Sequence, residues 1–535
     1  MNIALFSKIG LWLIRPFNEG LHFFILTLIL SSITEVIGFA IFESLPKGVF
    51  IALHHYIICY FLTLLVFSFK GLNRNILKGG IGVLLGINYL IDLVCVYSFH
   101  FTFDQEVPAI ILGTNSNEAT EFIHMFLPPL LWVILASGII GMICIYKLLK
   151  HWNIQINYKI QYICMGLVIL CLTTVTAMHS KNWGNISVTK VMAFANATSP
   201  PDLKIYQINP DIKSTGQKQP AYVVMIVGES FAKSHSSLYG YNKPTNPNLD
   251  SIRQTGQLIV FDHVTAPALN TVPVFKSLMS TYKPEKSSKE WYECLTLSSI
   301  LHTSGYYTSW FSNQSQKGYH DNIVAKYAEL FNKSIFAGNR FAAMGKNDFD
   351  GILIDIVKQN LQHNVKQSPQ FHLIHLMGSH PDFKKRYPDN YNFFKPQEYT
   401  KYPDNQRKLL VEYDNSVLYN DYVVCELFKL YTNKEAIVFY FSDHGLDVFN
   451  SRSDYVGHGR YNNPKSAKAG FQIPFVTYLS PTFQQSFPKL SQRIKETSHN
   501  TFCTYNMIYT IMDVIGVQFY SNNQVQEYSL FSQQQ

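Results

Sequence analysis

The chain is 535 residues long, room for a large globular unit beside a second region, since domains usually run to about 100–200 residues. Hydrophobic residues make up 47% and charged residues only 15%; long apolar runs fill the first third, and the remainder reads as a globular α/β protein rich in Tyr and Asn. The net charge of +8 admits nucleic acid or an anionic surface, but no dense Lys/Arg block or aromatic-basic module is present, so nucleic acid is excluded and membrane topology accounts for the excess.

Five runs, near 21–42, 49–69, 79–99, 127–146 and 160–178, approach the length of about 20 residues with which a helix crosses a bilayer. The first is too long and too deep for a cleaved signal peptide. The third carries Gly79, Gly80, Gly82 and Asp92, and taken alone also fits a buried helix. Glu35 lies inside the first run, at a cost of roughly 2.5–3.5 kcal/mol if central and unpaired. It reads as part of a lipid-headgroup path, as half of a pair within the bundle, or as an interfacial group. Lys8 and Arg15 precede the first run, Lys70, Arg74 and Lys78 lie between the second and third, and Lys147, Lys150 and Lys159 lie between the fourth and fifth. The other two loops hold Glu43 and Lys47, then Asp104, Glu106, Glu118 and Glu121. The positive-inside rule puts the basic loops in the cytoplasm, and an odd number of spans then delivers the rest of the chain to the opposite side. The expected layout is a five-helix transmembrane domain over 1–178, a connector along the membrane surface over 179–218, and an extracytoplasmic domain over 219–535.

Cys59, Cys95, Cys144, Cys164 and Cys171 lie in the apolar third as small hydrophobes. Cys294, Cys425 and Cys503 are odd in number and far apart, so neither a disulfide framework nor a zinc ribbon is indicated.

Three apolar runs in the soluble part end in polar, Gly-containing turns: AYVVMIVGES (221–230), FHLIHLMGSH (371–380) and EAIVFYFSDHG (435–445). Helix-like stretches such as NPNLDSIRQTG and NDFDGILIDIVKQNL alternate with them, which predicts a mainly parallel sheet. Ligands gather beyond the carboxyl ends of such strands. Here the strand ends present Glu229, His380, Asp443 and His444, with His458 following in GHGR, and Glu, Asp and His are suitable zinc ligands. One Asp-His pair reads as a capped loop; several strand ends together point to a metal.

A transfer reaction also needs a nucleophile, and a hydroxyl needs a base or metal to activate it. Thr271 precedes Pro273 and the helical pattern of Val274, Phe275 and Leu278. Its hydroxyl reads equally as a nucleophile at a phosphate-binding helix N-terminus or as an N-cap. Asn313 and Lys317, four apart in WFSNQSQKGY, share a face if that segment is helical, and suit phosphate oxygens as donor and point charge, although such spacing is common on any surface helix.

Together VVMIVGESFAKSHSSLYGYNKPTNPNL, NTVPVFKSLMS, SNQSQKG, HLMGSH, YDNSVLYNDYVV and FSDHGLDVF…GHGR resemble the phosphoethanolamine transferases of the bacterial envelope, within the alkaline phosphatase and sulfatase superfamily. The resemblance covers nearly the whole chain. It implies a five-span bundle joined to a periplasmic sulfatase-like domain in the inner membrane. It implies that Glu229, Thr271, Asp443 and His444 surround a catalytic zinc, and that Asn313, Lys317, His380 and His458 hold the phosphoryl group or a second zinc ion. His380 or His458 would assist proton transfer; His375 is a weaker candidate. Asn115 and Glu118 in GTNSNEATEF resemble a family segment near the donor lipid. The implied reaction moves phosphoethanolamine from phosphatidylethanolamine to a lipopolysaccharide or related glycolipid through a threonine intermediate. Members acting on lipid A share a TxxxxP spacing and many disulfides. This chain has Ala268 five positions before Pro273 and lacks those disulfides, so it resembles the branch acting on lipopolysaccharide core sugars.

Alternatives are a phosphoglycerol transferase or phosphodiesterase of the same superfamily, or a non-catalytic glycolipid-binding membrane protein if no metal binds. A sulfatase needs a modified Cys or Ser and an Arg, which Thr271-Val272-Pro273-Val274-Phe275 does not supply. A serine hydrolase at Ser230 lacks its elbow, because Phe231-Ala232 breaks GxSxG.

Overall fold

The computed structural model describes residues 3–42, 44–99, 103, 129–152, 156–179, 202–206, 210–284, 286–314, 323–338, 349–363, 369–451, 455–459 and 463–532. The chain divides into two compact units, Met1–Thr198 and Ser199–Gln535. Asn115, Glu118, Lys317 and most of the expected connector lie outside the described residues.

The first unit is helical. Its main elements are α1 (Leu21–Phe42), α2 (Leu45–Ser68), α3 (Gly71–Val94), α4 (Pro129–Trp152) and α5 (Tyr158–His179). Each contains a stretch long and apolar enough to cross a membrane. Helix α3 begins before the apolar run at 79, because Arg74 and Lys78 are good helix formers that lower hydropathy without breaking the turn. Only 17% of its apolar window is buried within the unit, which favours a membrane helix over a core helix.

A polar seam joins α1 to α2. Thr27, Ser31 and Glu35 recur every fourth residue on α1, as His55, Cys59 and Thr63 do on α2, and all six are buried. Glu35 Oε2 lies 2.9 Å from His55 Nε2, and Ser31 Oγ lies 3.4 Å from Cys59 Sγ. Of the three readings of Glu35, pairing inside the bundle is the one observed. At one end of the hairpin, Arg15 Nη1 donates to Phe67 O at 3.2 Å and Arg74 Nε donates to Phe69 O at 2.8 Å. Basic residues before α1 and after α2 thus meet. None of the eight cysteines, all among the described residues, is in a disulfide.

The second unit is built on a seven-stranded sheet of β1 (Tyr222–Gly228), β2 (Leu258–Val260), β3 (Tyr307–Ser312), β4 (Lys333–Phe336), β5 (Gln370–His375), β6 (Ala436–Ser442) and β7 (Phe475–Leu479). Their order across the sheet is β2-β7-β6-β1-β5-β3-β4. Strands β6, β1, β5, β3 and β4 pair in parallel, while β7 runs antiparallel to both β6 and β2. Every residue of β5 and β6 is buried. Both sheet faces are therefore covered there, which is why these strands read as continuous apolar runs rather than alternating ones. Helices α6 (Pro247–Gln254), α7 (Thr271–Leu278), α8 (Ile352–His363) and α9 (Asp404–Lys429) are the ones that bear on the site.

The register gathers the chemistry. Gly228 pairs with Ser442, Val227 with His375, and Ser312 with His375. Adjacent parallel strands lie about 4.8 Å apart. Segments beginning at Glu229, Leu376, Asn313 and Asp443 therefore leave one sheet edge side by side.

Candidate metal and nucleophile site

Glu229, Asp443 and His444 offer ligand atoms that all lie within 4.8 Å of one another. All three side chains are at most 1% exposed. His444 Nε2 lies 3.2 Å from Glu229 Oε1 and 3.4 Å from Asp443 Oδ2. Asp443 Oδ1 accepts from the N–H of His444 at 2.7 Å and of Ser230 at 3.3 Å, while Oδ2 is buried without a hydrogen bond among the described residues. Ser230 Oγ donates to Glu229 Oε1 at 2.8 Å. Ser230 also holds φ at 55°, a left-handed backbone uncommon outside glycine, at the turn that carries Glu229.

Thr271 is the first residue of α7, and Asn270 occupies the cap position. The Thr271 hydroxyl donates to Glu229 Oε2 at 3.0 Å and lies 3.4 Å from His444 Nε2. Its hydroxyl thus faces the acid-histidine cluster.

The electrostatics fit a divalent cation. Burial raises the Glu229 carboxyl, but the positive charge and hydrogen bond of His444 outweigh it and hold Glu229 well below the usual carboxylate range. Burial and then the Glu229 charge push Asp443 up to about 8. Burial disfavours charge on His444 too, yet Asp443 and Glu229 lift it to about 9. His444 Nδ1 lies 2.8 Å from Gly445 O, and a carbonyl only accepts, so Nδ1 carries a proton. That leaves Nε2, facing both carboxylates, as the nitrogen available to a metal ion, oriented by the carbonyl behind it. Two carboxylates are thus buried side by side against His444, and a metal ion binding there displaces protons from such a cluster.

The other expected residues sort into two groups. His458 lies beside the cluster, its ring centroid 4.8 Å from that of His444 and its plane tilted by 58°. Burial, then the charges of His444 and His380, push it down to about 3. The Nδ1 atoms of His458 and His380 are both buried without a hydrogen bond among the described residues. His375 ends β5 with its ring 4.7 Å from Phe275 and edge-on to Trp310, where burial pushes it down to about 4; both of its ring nitrogens are likewise buried without a hydrogen bond among the described residues. It packs as a core ring. Asn313 lies in a bend after β3 rather than on a helical turn, and its Nδ2 donates to Asp350 Oδ1 at 2.9 Å.

The neighbouring Gln314 reaches the cluster instead. Its Nε2 lies 3.4 Å from Glu229 Oε2 and 3.3 Å from Leu376 O. Sequence alone gives little signal for Gln314, which stands beside a better phosphate donor, or for Asp350, whose pattern is that of an ordinary acid ahead of a helix.

The curated phosphoethanolamine transferase EptC of Escherichia coli (strain K12) is 23% identical over 486 residues, covering 83% of this chain and 81% of that protein. Phosphoethanolamine transferase EptA of Helicobacter pylori (strain ATCC 700392 / 26695) is 27% identical over 401 residues, covering 70% of this chain and 71% of that protein. The integral membrane protein lipooligosaccharide phosphoethanolamine transferase A of Neisseria meningitidis superposes with a TM-score of 0.63 at 18% identity, over 94% of this chain and 96% of that one. The C-terminal periplasmic domain of the Escherichia coli EptC, in complex with Zn, superposes with a TM-score of 0.55 at 24% identity, over 63% of this chain and 90% of that one. These likenesses give the fold: an apolar helical unit and an alkaline-phosphatase-like mixed sheet. The Sulfatase family model matches residues 221–517, more than half of the chain, and the chain belongs to the Sulfatase family.

Proposed function

We propose that the chain is a multi-pass membrane transferase that moves phosphoethanolamine from phosphatidylethanolamine to a lipopolysaccharide or related glycolipid, with Thr271 as nucleophile. One observation carries this reading: the Thr271 hydroxyl stands 3.0 Å from Glu229 and 3.4 Å from His444, beside a buried cluster of two acids and a histidine whose geometry could hold a metal ion. Relatives named phosphoethanolamine transferases along most of the chain support the substrate class. In this reading residues 1–178 span the inner membrane, 179–218 connect, and 219–535 act in the periplasm.

Glu229, Asp443, His444 and Thr271 would hold the zinc, a reading in keeping with the Zn complex of the Escherichia coli EptC domain. When bound, zinc neutralises the two carboxylates, lowers the pKa of a ligated hydroxyl and polarises a phosphoryl oxygen. The chain's own groups do the rest. Thr271 Oγ1 attacks phosphorus, forming the Oγ1–P bond while the bond from phosphorus to the diacylglycerol oxygen breaks. The hydroxyl proton, directed at Glu229, is passed with the help of His380 or His458 to the departing oxygen, giving diacylglycerol. An oxygen of the acceptor, a hydroxyl or a monoprotonated sugar phosphate, then bonds to phosphorus as the Oγ1–P bond breaks, and the acceptor's proton passes by the same histidine to Oγ1. Backbone N–H groups at the start of α7, with Lys317 and Asn313, steady the phosphoryl oxygens. Asn115 and Glu118 are assigned to the donor headgroup. Among such acceptors a lipopolysaccharide core sugar is favoured by the resemblance at Ala268, which stands where the lipid A branch carries the Thr of TxxxxP.

The test is mass analysis of glycolipid and lipid from cells carrying the wild-type chain or Thr271→Ala. The wild type should add phosphoethanolamine to the acceptor and release diacylglycerol, and the variant should do neither. Decoration by Thr271→Ala would overturn the nucleophile assignment; a glycerol-phosphate adduct would overturn the headgroup.

A further inference from the structure

Asp350 takes no part in the transfer chemistry above, yet it is 4% exposed and fully engaged. Its Oδ1 accepts from Asn313 Nδ2 at 2.9 Å and from the Met377 N–H at 2.8 Å, and its Oδ2 accepts from the Gly378 N–H at 2.8 Å. Asn313 follows β3, whereas Met377 and Gly378 follow β5. One carboxylate, arriving from just before α8, therefore ties two strand ends together. It is itself anchored: the next residue, Gly351, donates its N–H to Tyr419 Oη of α9 at 3.2 Å.

Both tied segments touch the cluster. A Cβ on Gly378 would stand 2.7 Å from the N and O atoms of Glu229, so the two backbones are in direct contact. The Ser379 N–H donates to Glu229 O at 2.9 Å. Gln314, adjacent to Asn313, places Nε2 3.4 Å from Glu229 Oε2. Farther along the same loop, Arg386 donates to His380 O at 3.1 Å and to Pro381 O at 2.8 Å. The loop from Leu376 to Pro381 is thus braced at both ends, by Asp350 and by Arg386.

We propose that Asp350 is a positioning residue for the metal cluster: it locks the loops after β3 and β5 so that Glu229 and Gln314 are held in place against Thr271. The inference rests on the metal-dependent reading of the site. A carboxylate accepts all three N–H bonds, whereas an asparagine of the same shape turns an NH2 group toward one of those donors and leaves it unpaired. Outer partners of metal ligands typically matter by about 10–100-fold in metal affinity or activity.

The experiment uses the full-length chain in detergent, with zinc affinity measured by chelator competition and transfer kinetics measured on phosphatidylethanolamine. Asp350 acts one contact behind the ligands, so Asp350→Asn should weaken zinc binding about 10-fold, the low end of that range, and lower kcat comparably, with KM for the donor changed by less than about two-fold. Asn313→Ala removes one of the three donors and should show a smaller loss of zinc affinity; that affinity, and not kcat, decides the matter if Asp350→Asn does not fold, because Asn313 is also assigned to the phosphoryl oxygens. Wild-type zinc affinity and kcat in folded variants, even with a lowered melting temperature, overturn the assignment. Because the zinc measurement needs no lipid, a chain that shows the Asp350 effect but transfers nothing would refute the proposed reaction and leave the positioning role standing.

Discussion

Replacing Gly378 by alanine tests how tightly the site is built. Gly378 has φ of 55°, a region that costs an L residue about 1–2 kcal/mol. The new Cβ would also stand 2.7 Å from the N and O atoms of Glu229, against the 3.4 Å at which ordinary contact begins. The two backbones must then part by about 0.7 Å, and overpacking of this kind costs about 1–3 kcal/mol. The total is roughly 2–5 kcal/mol of stability. Glu229 moves with its backbone, and a shift approaching 1 Å at reacting groups costs on the order of 100-fold in rate. Gly240 is the control: its φ is 90°, but nothing lies within 4 Å of an added Cβ. Gly240→Ala should therefore show the strain cost and no loss of zinc affinity. The assay is unfolding followed by tryptophan fluorescence, with zinc competition and transfer rate on the same preparations. Gly378→Ala with wild-type stability, zinc affinity and rate would refute the close packing on which the site's geometry depends.

Two further predictions concern other parts of the molecule. Glu35→Leu leaves His55 facing an apolar side chain in the helical unit and should destabilise it by about 1–2 kcal/mol in detergent, the upper range for polar contacts between membrane helices. Adding His55→Leu should recover part of that loss, and strictly additive losses would argue against the pair. Asp421 accepts from the N–H groups of Asn248 and Leu249 and from Asn248 Nδ2, but burial outweighs these bonds and pushes its carboxyl up to about 6. The folded chain therefore binds more protons than the unfolded chain between about pH 4 and 6. The stability from this group is fully present below about pH 4 and is lost as pH rises through 6, on the order of 2–3 kcal/mol. Asp421→Asn should lose that slope, so its stability relative to wild type improves between about pH 4 and 7; parallel pH profiles for the two proteins would be inconsistent with the raised carboxyl.

Much of the architecture was legible in one dimension because it rests on local hydrophobicity. Runs of apolar residues announce helices of bilayer length whatever their neighbours do, and wholly buried parallel strands such as YVVMIVG and AIVFYFS carry unbroken apolar stretches. The acids and histidines at strand ends were visible for the same reason, since a strand must end where the apolar run ends. Convergence was not visible. Glu229 and Asp443 are 214 positions apart, and only the parallel pairing of β1 with β6 makes them neighbours. Tertiary contact also separated residues that were alike in sequence. His444 entered the cluster while His375, of the same type and also at a strand end, was packed between aromatic rings. Thr271 could not be told from an N-cap until its hydroxyl was seen facing Glu229 rather than the backbone. Glu35 found its partner on the next helix, twenty positions on, because the two helices run side by side and bring their fourth-residue polar rows together. Local pattern reports what a segment must bury; which side chains then share one small volume depends on strand order and register, and those are properties of the folded chain.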